Sequence, residues 1–154
     1  MNKIELTEMH LVGLCLQTKT TNENGKSGFD CGNLWQQFEK ENYAAQINDK
    51  QTEEILAVYH QYEGDHTQPF SYFIGCKVNA DSITPAGLDR IVIPKGPYQK
   101  FVATGKMPAC IANAWKEIWH SGIYRAYKTD FEVYDGRSKD WNNAVVDIFI
   151  SVLP

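Results

Sequence analysis

One order of elements, strand, helix, strand, strand, is spelled twice along this chain, and that duplication limits the architectures open to it. Residues 9–18 (MHLVGLCLQT) have the aliphatic content of a strand. A polar stretch over 20–30 follows, with turn signals at Asn24-Gly25 and Ser27-Gly28. A helix is expected over 33–46, with Asn33 as N-cap and Leu34, Phe38 and Ala45 at near-helical spacing beside Trp35. Residues 54–63 (EILAVYHQYE) read as a strand, Gly64-Asp65-His66 as a turn, and 70–78 (FSYFIGCKV) as the hairpin partner.

After a connector over 80–89, punctuated by Pro85 and Gly87, the order repeats. A strand starts at 90–93, is interrupted by Pro94-Lys95-Gly96-Pro97 and continues over 98–103; proline cannot donate to a ladder, so the interruption reads as a bulge or an edge. The second helix begins near Pro108, where a missing N–H costs little, and ends at Gly122. Ile111, Ala112, Trp115, Ile118 and Trp119 form its apolar stripe. Residues 124–134 and 144–153 are the last strands, joined by a polar turn over 135–143. A duplicated β-α-β-β unit predicts an α+β domain with pseudo-two-fold symmetry, its repeats covering about 6–80 and about 88–154. The strands should form an antiparallel sheet with both helices on one face and a ligand pocket between the halves. The short connector predicts one cooperative domain over 1–154.

Composition narrows the function. A chain of 154 residues, 43% hydrophobic and 22% charged, can bury a core and is neither disordered nor fibrous. Nineteen acids against 15 bases, with no basic block, argue against a nucleic-acid-binding face. Cys15, Cys31, Cys76 and Cys110 are scattered without a C-x-x-C pair, and His10, His60, His66 and His120 do not cluster. Reduced cysteines and no metal centre or other cofactor are therefore expected. No signal pattern opens the chain and no apolar run nears the roughly 20 residues that span a bilayer, so a cytoplasmic protein without membrane association is expected.

Phe131-Glu132-Val133-Tyr134 carries the sharpest chemistry. On a strand, Glu132 and Tyr134 share one face and Phe131 and Val133 the other. An acid there lies either on the wet side of a sheet or in an aromatic-lined cavity. The residues alone leave both open.

The chain resembles the GyrI-like small-molecule-binding domain, also found as the effector-binding module of AraC-type and MerR-type multidrug-sensing regulators. The matching pieces begin with Leu34-Trp35-x-x-Phe38 and Val58-Tyr59-x-x-Tyr62-Glu63-Gly64. They continue with Ile93-Pro94-x-Gly96-x-Tyr98-x-x-Phe101 and Trp119-x-Ser121-Gly122, and end with Phe131-Glu132-x-Tyr134 and Ile148-x-Ile150-x-Val152. The resemblance covers nearly the whole chain and is to a free-standing member, of the kind encoded on integron cassettes, without the helix-turn-helix domain of the regulators. It implies an acid at the base of an aromatic pocket, a position that Glu132 matches.

The expected ligands are hydrophobic cationic small molecules. Ring faces attract them at roughly 0.5–2 kcal/mol per good contact, and one buried carboxylate meets their charge. The candidate ligand-binding residues are Glu132, Tyr59, Trp115, Trp119, Tyr98 and Tyr134, with no catalytic residue. Tyr59 and Tyr62 fall on opposite faces of a regular strand, so Tyr59 is favoured. Trp35 and Phe38 read as core, Trp141 as exposed or a lid, and Asp130, Asp135 and Asp147 as strand-end or solvent-face acids. The resemblance implies two alternatives: hydrolysis of strained electrophiles with Glu132 and Tyr59 as acid-base groups, and protective binding to DNA gyrase. Direct contact with nucleic acid is not expected. A separate DNA-binding partner, and a monomer or a homodimer, are compatible with the sequence.

Overall fold

Eight strands pair into one continuous antiparallel sheet in the computed structural model, which describes residues 3–154. The elements run β1 (Lys3–Leu6), β2 (Met9–Cys15), α1 (Lys26–Lys40), α2 (Tyr43–Gln46), β3 (Ile55–His60), β4 (Ser71–Val78) and β5 (Asp89–Ile93). Then come β6 (Gly96–Gly105), α3 (Ala109–His120), β7 (Thr129–Tyr134) and β8 (Ala144–Ser151). Across the sheet the order is β1-β6-β8-β7-β3-β4-β2-β5. The two repeats, β2-α1-β3-β4 and β6-α3-β7-β8, therefore meet at the β3–β7 ladder, where Ala57 pairs with Glu132 and Tyr59 with Asp130. The sheet curls into a half-barrel. Gly13 and Gly75 face each other across β2 and β4, where a Cβ on either would meet backbone.

Strand alternation sorts the core by face. On one face α1 packs Leu34 and Phe38 against Val12, Ala57 and Ile74. On the same face α3 packs Ala114, Trp115 and Ile118 against Val146, Ile148 and Ile150. Leu11, Leu56, Val58, Phe73 and Phe131 turn to the other face, where Ile93 and Tyr98 join them inside the curl. Both helices thus share one face, as the repeat predicts.

Three local expectations are corrected. The segment 90–103 is not one interrupted strand: Pro94 separates β5, which pairs with β2 at one edge, from β6, which pairs with β8 and β1 near the other. The strand β1 was not foreseen, because its four residues are mostly exposed and carry little periodic signal. With β1 included, each half gives its leading strand to the opposite half. Finally, α1 starts at Lys26 rather than Asn33. Asn24-Gly25 does turn the chain, with both residues in the left-handed region, but Ser27-Gly28 lies within the helix. The helix breaks at Asn42, also left-handed, before α2.

Candidate functional site

Between α1 and α3, over the β3–β7 seam, the sheet floors a cavity of about 1230 Å³. The helices line it at matching positions: Cys31, Gly32, Trp35 and Glu39 on α1, and Ile111, Ala112, Trp115 and Trp119 on α3. The second helix carries two apolar stripes rather than one. Cys110, Ala114 and Ile118 are buried against neighbouring structure, while Ile111, Ala112, Trp115 and Trp119 face the cavity.

At its base Glu132 is 1% exposed and is held by three neutral donors. Tyr59 Oη donates to Oε2 at 2.7 Å, Trp115 Nε1 to the same oxygen at 2.6 Å, and Tyr134 Oη to Oε1 at 2.6 Å. An indole N–H can only donate, so Oε2 is an acceptor by necessity. Burial pushes the Glu132 pKa above its ordinary value, and the hydrogen bonds from Tyr134, Trp115 and Tyr59 pull it back. Burial, and next the nearby Glu132, raise Tyr59 and Tyr134 well above the usual phenol value, so both remain neutral donors. Among the described residues no cationic side chain forms an ion pair with Glu132.

The rings around it brace one another. Tyr59 meets Trp115 at 4.9 Å and Tyr72 at 5.0 Å, both edge-on. Trp35 donates Nε1 to Tyr72 Oη at 2.8 Å and meets Tyr134 edge-on at 4.9 Å. At the rim, Trp119 stacks on His66 at 5.0 Å.

The structure brings Glu132, Tyr59, Trp115, Trp119 and Tyr134 to this one cavity. Tyr98 does not join them. It pairs with Ser151 on β8 and alternates onto the opposite face, edge-on to Phe131 at 5.6 Å. Trp35 was assigned to the core but stands half-buried in the cavity wall, whereas Phe38 is core as expected. Trp141 also reaches the rim, 60% exposed.

Tyr62 lines the cavity together with Tyr59, contrary to the expectation that only one of them could. The strand β3 stops at His60, and Gln61 takes a left-handed conformation (φ 52°) that returns Tyr62 to the face of Tyr59. A Gln gives no sequence signal for that. Tyr72 was missed because it reads as an ordinary hairpin aromatic.

Asp130 is likewise corrected: it is fully buried, two positions from Glu132 on the same face. Its Oδ2 accepts from Arg125 Nη2 at 2.7 Å and Tyr62 Oη at 2.6 Å, and its Oδ1 from the Ser151 N–H at 2.7 Å. Asp147, also read as a solvent-face acid, is buried and accepts from Arg137 Nη2 at 2.7 Å. Asp135 does sit at a strand end, where it holds the N–H of Arg137. Among the described residues no cluster of three or more His, Cys, Asp and Glu is placed to hold a metal ion, and no helix is long and apolar enough to cross a membrane.

A family model described as integron-associated effector binding protein matches residues 4–152. The chain belongs to that family. A solved integron cassette protein from Vibrio cholerae, VCH_CASS2, is 30% identical, with a TM-score of 0.73 over 99% of this chain and 95% of its own. YobU of Bacillus subtilis (strain 168), whose name marks it as a proposed transcriptional regulator, is 27% identical over 77% of each chain. SAV2435, solved bound to tetraphenylphosphonium, shares the fold at a TM-score of 0.79 and 20% identity over 99% of this chain and 93% of its own. The architecture is the GyrI-like fold, and this effector-binding family has relatives among transcription regulators.

Proposed function

We propose that the chain binds hydrophobic organic cations in the cavity between α1 and α3 and releases them unchanged. One observation carries the reading: Glu132 is buried among rings, held by three neutral donors, with its charge left for something that enters from outside. The neighbouring Arg125 is engaged by Asp130, so the floor keeps one uncompensated negative charge when both carboxylates are ionised. A rigid aromatic cation would meet that charge where water is scarce and lay its rings on Trp35, Tyr59 and Trp115. Such a site asks for few directional hydrogen bonds, which favours breadth over selectivity. The relative that holds tetraphenylphosphonium supports the choice of ligand class. A ligand of about 25 heavy atoms gaining about 0.3 kcal/mol each gives about 7–8 kcal/mol, or low-micromolar affinity.

Titration with tetraphenylphosphonium and other aromatic cations, followed by tryptophan fluorescence, tests this. Micromolar quenching is expected, weakened at least tenfold in Glu132→Gln. Undiminished affinity in that variant removes Glu132 from the site. Turnover of a strained electrophile that Glu132→Gln abolishes would make the protein a hydrolase instead. Protection of gyrase without any ligand would make it an interaction protein.

A further inference from the structure

Each helix brings one indole to the cavity and ties its N–H to the sheet below, but to different partners. Trp115 on α3 is buried and donates to Glu132 itself at 2.6 Å. Trp35, at the matching position of α1, is half-buried and donates to the hydroxyl of Tyr72 on β4 at 2.8 Å. Its ring meets Tyr134 edge-on at 4.9 Å and otherwise borders the cavity. A side chain beside a void lacks partner atoms there, so packing fixes it less firmly than a ring enclosed in a core. The tether to Tyr72 supplies what packing does not.

Tyr72 itself has the surroundings of a core residue. It is 1% exposed, pairs with Tyr59 across the β3–β4 ladder and meets that ring edge-on at 5.0 Å. Phenylalanine would fill the same space, whereas a buried hydroxyl costs free energy unless it is hydrogen-bonded. The indole N–H can only donate, so the Tyr72 oxygen is its acceptor. Burial, and next the nearby Glu132, raise Tyr72 well above the usual phenol value, so the hydroxyl stays neutral.

We infer that Tyr72 is a positioning residue: through its hydroxyl it holds the Trp35 indole as a preset ring face on α1 before any cation enters. This inference rests on the cation-binding reading and assigns to it a residue that acts through another side chain. Without the hydroxyl the Trp35 N–H turns to water and the ring is free to swing into the cavity. A ligand then has to order it, and ordering one such side chain on binding costs about threefold to tenfold in affinity.

Two measurements on the full chain test this. The chain has four tryptophans, so its indole N–H spectrum holds four signals, of which Trp35→Phe removes the one that belongs to Trp35. In the ligand-free wild type the Trp35 N–H should exchange with solvent more slowly than that of Trp141, which is 60% exposed. Tyr72→Phe should speed the Trp35 exchange at least tenfold and leave the other three signals within twofold. Calorimetric titration with tetraphenylphosphonium then compares wild type, both single variants and the double variant. Tyr72→Phe should weaken binding about threefold to tenfold, with a melting midpoint within about 5 °C of wild type. In the Trp35→Phe background, where no N–H remains to be held, the same change should alter affinity less than twofold. Equal weakening in both backgrounds overturns the inference, because Tyr72 would then act through the floor rather than through Trp35. So does an unchanged affinity in Tyr72→Phe, or a Trp35 N–H that already exchanges as fast as Trp141 in wild type. Those results leave the cation reading standing as long as wild type binds tetraphenylphosphonium; its failure to bind overturns both.

Discussion

Asp130 and Glu132 lie two residues apart on one face of β7, both buried, yet they hold opposite relations to charge. Asp130 is closed by a cation, Arg125, and by Tyr62 and Ser151. Glu132 has phenols and an indole in place of the cation. The contrast teaches where to look for a ligand on a floor of buried acids. An acid neutralised from within the chain serves the fold, whereas one supplied only with neutral donors keeps its charge available. Breaking one partner of a buried ion pair is expensive, because the other is left uncompensated. The same removal at Glu132 leaves nothing charged behind.

The largest effect that would sharpen this contrast is on stability. Arg125→Met should lower the free energy of unfolding by about 3–5 kcal/mol, read as a fall in denaturant midpoint, and adding Asp130→Asn should recover much of it. A loss under about 1 kcal/mol in the single variant would mean that the pair is not what closes the floor. Glu132→Gln should behave oppositely, staying within about 1 kcal/mol of wild type or above it while losing cation affinity. The amide oxygen can take the donors now on Oε2, and the amide nitrogen can donate to a turned Tyr134 hydroxyl. Severe destabilisation there would assign Glu132 to the scaffold.

Proton linkage comes next. Because burial raises Glu132 in the fold, the folded protein holds a proton that the unfolded chain has lost, and stability falls as pH rises between the unfolded and folded values. Cation binding reverses the preference: affinity should drop as pH falls through the raised value, and binding near it should release a proton. Calorimetry in two buffers of different ionisation enthalpy measures that release. A pH-independent affinity from neutrality to about pH 4 would remove the ionised partner.

The smallest predicted effect concerns Tyr134→Phe, which deletes one donor to Oε1. Since the bond exists before a ligand arrives, affinity at neutral pH should change only a few-fold. The pH midpoint of binding should move upward, because a bond that favours the ionised form is gone. A downward shift would contradict the role assigned to that phenol.

These features were unequally legible in the sequence. The duplication and the shared helix face follow from local alternation, since strand period and helix period are short-range signals. Alternation left Glu132 open to either side of the sheet, and the resemblance supplied the cavity. Tyr98 was misplaced because residues 90–103 were read as one strand interrupted at Pro94 by a bulge or an edge. The chain instead passes between Ile93 and Gly96 from one edge strand to a strand beside the opposite edge, which the curl brings close, and Tyr98 alternates onto the other face. Tyr62 was excluded by assuming a regular strand that Gln61 ends with one left-handed residue. Asp130 was read as solvated because its partner Arg125 stands in an irregular segment with no periodicity to locate it. For Tyr98 and Asp130 the missing information was long-range geometry, and for Tyr62 it was the backbone conformation of a single residue.

The exchange of leading strands has a consequence for either repeat taken alone. Lys3–Leu6 completes the ladder of the second repeat, and Asp89–Ile93 that of the first. An isolated copy of either repeat could complete such a ladder only by exchanging its leading strand with a second copy, and the tandem arrangement builds that exchange into one chain. Either copy excised today would carry a strand that belongs to its sister and lack its own.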